Sequence, residues 1–141
     1  MKKSLLIFGI AITLTTSAFC QSDTITYWKV YFNNSLKNEF SVINKNPLVT
    51  LNYSDISISS ILTVKYYRDT PCLDCPNLLI VRNNKNKSLF KVKGHSTNNP
   101  MDLQLDKIIR KQAIKKEKKF LFYFKENRHY DQFLFTLIID N

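Results

Sequence analysis

Glycine is almost absent from this chain of 141 residues, which holds only Gly9 and Gly94. A phosphate-cradling P-loop, a dinucleotide fingerprint and a Gly-x-Ser-x-Gly nucleophile elbow each need two or more glycines close together. Those enzyme classes are excluded. Acidic residues are scarce too, 11 Asp and Glu against 21 Lys and Arg. Their scatter argues against a glycosidase, which needs a close carboxylate pair. Histidine is limited to His95 and His129, and no serine or cysteine nucleophile has a recognisable context. No apolar run approaches the roughly 20 residues of a membrane-spanning helix. No cofactor is expected, and the protein is read as non-catalytic and not integral to a membrane.

The one sustained apolar stretch, Leu5 to Leu14, follows Met1-Lys2-Lys3 and precedes Thr15-Thr16-Ser17-Ala18-Phe19-Cys20. A positive start, a short greasy core and a small-residue exit form a secretory signal peptide. Residues 1–20 are therefore expected to be a leader and residues 21–141 a single exported domain, periplasmic or secreted. A domain of that size buries about two-thirds of its unfolded surface. Ten Phe, seven Tyr and many Ile, Leu and Val supply the core.

Cleavage after Cys20 leaves one cysteine pair, Cys72 and Cys75, in a compartment that favours disulfides. Were Cys20 instead the first mature residue, it could carry lipid and tether the domain. Phe19 is too bulky for a good lipidation box, so a soluble product is expected. The formal charge of +10 would suit nucleic acid, but export removes that partner. An anionic envelope polymer, a lipid or an envelope protein fits better. Part of the charge has a plainer origin: Lys, Asn, Ile, Phe and Tyr are the residues that AT-rich codons favour.

The rest of the chain reads as short alternating strands separated by Asn-rich turns. Trp28, Val30 and Phe32 share one face, with Tyr27, Lys29 and Tyr31 opposite. Asn33-Asn34 suits a tight turn, because Asn tolerates positive φ. Leu62, Val64 and Tyr66 point inward; Thr63, Lys65 and Tyr67 point outward. Leu105, Ile108, Ile109 and Gln112 have helical spacing. An antiparallel β-sandwich of about eight strands is expected, with one short helix near residues 105–115. The strands at 120–124 and 133–139 are apolar on both faces, with Phe133, Phe135 and Leu137 grouped on one of them. The helix is expected to cover the outer face; left bare, that surface would admit a homodimer through the C-terminal strands.

Four constellations could carry function. Cys72-Leu73-Asp74-Cys75, flanked by Pro71 and Pro76, is expected to be a disulfide clip. Its sharper alternatives are a redox site or a metal site completed by His95 and His129. His129-Tyr130-Asp131 is an acid–base fragment in sequence only, read as loop. Lys107, Arg110, Lys111, Lys115, Lys116, Lys118 and Lys119 form a basic run that could bind anions. Tyr27, Lys29, Tyr31, Lys65 and Tyr67 would make an aromatic, cationic ligand face if their strands are neighbours. The leading functional expectation is an exported, non-catalytic binding or structural module of the bacterial cell envelope. A metal-binding or redox-active domain centred on Cys72 and Cys75 is the alternative, and an inhibitor or immunity-type protein is a third class.

Overall fold

The computed structural model describes residues 26–113, 118–127 and 130–140. The leader, Cys20, Lys115, Lys116 and His129 lie outside this set. For Arg110 and Lys111 only the helical backbone is described.

Among the described residues, nine strands form two facing sheets. The strands are β1 (Tyr27–Phe32), β2 (Ser35–Ser41), β3 (Leu48–Asn52), β4 (Ile61–Tyr67), β5 (Pro76–Asn83), β6 (Ser88–His95), β7 (Met101–Gln104), β8 (Lys119–Glu126) and β9 (Gln132–Asp140). A short α-helix, α1 (Leu105–Ala113), follows β7 directly. One sheet has the order β2-β1-β4-β7 and the other β3-β9-β8-β5-β6. The expected all-β sandwich is the fold. Every strand pair is antiparallel except β3 with β9, which run parallel.

Local chemistry explains the turns. Asn33 and Asn34 both adopt positive φ, 49° and 65°, between Phe32 and Ser35, which face each other in register. Such a two-residue turn twists in the same hand as its strands. Asn83 organises the β5–β6 turn: its Oδ1 accepts from the backbone N–H of Lys85 and Lys87 at 3.1 and 2.9 Å.

The core sits between the sheets. Trp28, Val30, Leu62, Val64 and Tyr66 line one wall; Leu79, Val81, Phe122, Phe135 and Leu137 line the other. Phe122 and Phe135 are fully buried and stack with centroids 4.5 Å apart. Each such ring contributes up to about 3 kcal/mol through burial. Gly94 lies where β6 approaches β7: a Cβ there would meet Met101 Cγ at 3.1 Å.

Two expectations need correction. Phe133 does not share a face with Phe135. A bulge at Leu134 shifts the β8–β9 register, so Phe122 faces Phe135 while Tyr123 faces Phe133. Phe133 is turned outward, and Leu134 is fully buried. The helix does not cover that outer surface either. Its apolar residues Leu105, Ile108 and Ile109 join the inner core, because α1 continues from β7, at the edge of the opposite sheet. On that outer surface Arg82 covers the Tyr123 ring, 4.5 Å above it, and is ion-paired with Asp131.

Candidate functional site

Period-two alternation turns Phe120, Phe122, Phe124 and finally Glu126 inward along β8. A carboxylate placed there must find partners, since an unpaired buried charge is strongly unfavourable. Its Oε1 accepts the Thr97 hydroxyl at 2.9 Å, and its Oε2 is ion-paired with the Arg68 guanidinium. Arg68 lies just beyond β4, so the pair ties the two sheets together at one end of the sandwich.

The disulfide loop is built onto the same corner. Cys72 and Cys75 are bonded, with Cα atoms 5.6 Å apart. The Cys72 N–H donates to Thr97 Oγ1 at 2.8 Å, and the Thr97 N–H donates to the Cys72 carbonyl at 2.9 Å. Ser96 N–H donates to the Cys75 carbonyl, and Asn127 Nδ2 lies 3.2 Å from Cys75 Sγ. The two sulfurs and a Glu126 oxygen lie within 4.8 Å of one another. In this state the sulfurs are bonded to each other and both carboxylate oxygens have partners. The clip therefore braces Glu126. His95, which the alternative metal site would use, pairs with Asp74 at 2.7 Å on the exposed surface.

The braced corner walls a pocket of about 270 Å³, lined by Thr26, Tyr66, Arg68, Phe124, Glu126, Tyr130 and Gln132. Tyr66 donates to Gln132 Oε1 at 2.7 Å and stacks on Phe124 at 4.0 Å. Burial pushes the Tyr66 hydroxyl above the ordinary tyrosine pKa of 10.0. Tyr130 is 85% exposed at the mouth. The charges of Arg68 and Glu126 cancel, yet most of the five guanidinium N–H donors and both Gln132 amide hydrogens have no hydrogen-bond partner among the described residues. Sequence reasoning placed Tyr66 in the core and missed Arg68, Glu126 and Gln132. The alternation through Phe120, Phe122 and Phe124 was the signal that would have turned Glu126 inward.

The tyrosine stripe is brought together, because β1 and β4 are neighbours. Tyr27 faces Tyr67 and Lys29 faces Lys65. The Tyr27 and Tyr67 rings stack at 4.6 Å, 8° from parallel, and Lys65 Nζ lies 5.3 Å from the Tyr31 ring centroid. The Tyr27 and Tyr67 rings are therefore occupied with each other. Desolvation raises the Tyr67 pKa. A hydrogen bond to Glu39 raises that of Lys29, whose Nζ is 3.1 Å from the carboxylate.

Of the basic run, the side chains of Lys107, Lys118 and Lys119 are described. Lys107 is exposed on α1, Lys118 precedes β8, and Lys119 takes an outward position in β8 opposite Ile138. Of the acid–base fragment, Asp131 is committed to Arg82 and lies 3.3 Å from Lys125 Nζ. Among the described residues no helix is long and apolar enough to cross a membrane. No protein-family model matches the chain, and no curated protein matches it.

Proposed function

We propose that this is an exported, non-catalytic binding module of the bacterial cell envelope, which takes a small, neutral, hydrogen-bonding ligand in the end pocket. The observation that carries this reading is the Arg68–Glu126 pair. Its charges cancel, it is held from behind by Thr97 and the disulfide loop, and its remaining donors face a cavity. A pre-organised polar wall costs no reordering when a ligand arrives. The exposed ring of Tyr130 adds an apolar surface beside it. One sugar ring or a ligand of similar size matches the volume, which is near the small end of the range for ligand pockets.

Support for binding over catalysis comes from the commitment of Glu126 and Asp131 to partners, which leaves neither poised as a base. Titration calorimetry of the purified protein with a panel of neutral monosaccharides tests the reading. Saturable binding that is lost in Gln132→Ala and weakened in Tyr130→Ala is expected. Heat from no member of the panel, or turnover of a bound member, would overturn it.

A further inference from the structure

The outer faces of the two sheets differ in charge. On the four-stranded sheet, the outward register positions hold Lys29 and Lys65 against Glu39 and Asp102. They balance. On the five-stranded sheet, the outward positions hold Arg82, Lys91, Lys93, Lys119 and Lys125. The acids facing them are Asp131, from the β8–β9 connection, and Asp140 at the end of β9. Asp131 is shared by Arg82 and Lys125. Lys91, Lys93 and Lys119 are exposed and have no ion-pair partner among the described residues.

The same face is also apolar. Phe133 is 38% exposed and Leu48 46%. Phe133 packs edge-on against Tyr123 at 5.5 Å. The bulge at Leu134 is what delivers Phe133 to this side. Lysines on the same face as an exposed ring and an aliphatic side chain match a lipid headgroup layer. Ammonium groups reach phosphate on flexible stems while aromatic rings settle at the interface.

We infer that the outer face of the five-stranded sheet docks on a bilayer surface containing anionic lipid. Charge complementarity selects this occupant. A second copy of the chain would bring two faces of excess positive charge together, which self-repulsion opposes. A soluble acidic polymer would satisfy the lysines but leave Phe133 and Leu48 in water. The inference is independent of the end pocket, since it uses none of the pocket's residues.

Vesicle co-sedimentation of the purified protein tests it, with phosphatidylcholine alone and with added phosphatidylglycerol. Binding is expected only with phosphatidylglycerol, weakening as salt is raised. Lys91→Gln with Lys93→Gln should lower the partition coefficient by roughly tenfold to thirtyfold. Lys29→Gln with Lys65→Gln removes the same charge from the opposite face and should leave it nearly unchanged. Phe133→Ser should weaken binding without altering its salt dependence. Thermal melts establish that each variant folds, and a Lys91→Arg, Lys93→Arg protein should bind normally. Three outcomes overturn the inference: no phosphatidylglycerol-dependent binding, equal losses in the two glutamine pairs, or retention on an anionic polysaccharide without binding to vesicles.

Discussion

Thr97 donates its hydroxyl to Glu126 across 2.9 Å, and both residues are buried. One hydroxyl thus links the disulfide loop to the carboxylate that pairs with Arg68. Thr97→Val keeps the shape but leaves a buried carboxylate oxygen short of a donor, at a cost of about 1–3 kcal/mol. Glu126→Leu removes the carboxylate and strands Arg68. Because Arg68 is about one-third exposed, solvent tempers the loss, and about 2 kcal/mol is expected. Urea unfolding midpoints measure both. Equal stability of either variant and the parent would remove Glu126 from the role given to it.

Reducing the disulfide should cost about 2 kcal/mol, since the closed loop is short. The melting temperature should fall by about 8 °C for a domain of this size. Ligand binding in the end pocket should weaken only slightly, because Thr97 N–H and Oγ1 still meet the Cys72 backbone. A Cys72→Ser, Cys75→Ser protein melted with and without dithiothreitol separates the clip from an active pair. Loss of a redox or metal-dependent activity in that variant, with the fold intact, would favour the active pair.

Alkaline pH should destabilise the protein. Tyr66 and Tyr67 have raised pKa values in the fold, both through burial. The folded state therefore keeps these protons when the unfolded chain releases them near pH 10. Their stabilisation is complete below pH 10 and declines as pH rises through the folded values. Lys29, raised by its hydrogen bond to Glu39, acts in the same direction above its ordinary value of 10.5. Unfolding free energy followed by Trp28 fluorescence should fall with pH above 10. Tyr66→Phe should flatten that fall while losing about 1 kcal/mol at neutral pH with the Gln132 bond.

The β1–β2 turn offers a substitution that should stabilise. Asn34 sits at a φ of 65°, a region glycine enters without steric penalty. Asn34→Gly should raise stability by about 0.5 kcal/mol, and Asn34→Val should lower it by 1 kcal/mol or more. Denaturant midpoints of the two variants should move in opposite directions. Movement in the same direction would contradict a primed turn.

What could be read from residues alone followed the period of the pattern. The alternation of Trp28, Val30 and Phe32, and of Leu62, Val64 and Tyr66, placed the inner wall of the four-stranded sheet correctly. The Asn33-Asn34 turn was legible because few residue pairs tolerate two positive φ values. The same rule failed at Phe133, since a bulge inserts one residue without changing composition. It was applied too briefly at β8, where one more step would have turned Glu126 inward. The contrast of Lys91 and Lys93 with Phe90 and Val92 also carried a face assignment. What that face adjoins depends on strand order, which no local pattern encodes.

The parallel pairing of β3 with β9 places residues 48–52 beside 136–140, 88 positions later. β9 lies between β3 and β8 in its sheet. The strand synthesised after the other eight thus occupies an interior place, and among the described residues β3 has only β9 as its neighbour. A chain synthesised N-terminus first holds β3 unpaired until residues 136–140 arrive. The four-stranded sheet can assemble earlier, because all its strands precede residue 105. Folding is therefore vectorial for one wall and deferred for the other, and removing residues 136–140 should leave β3 without its partner strand.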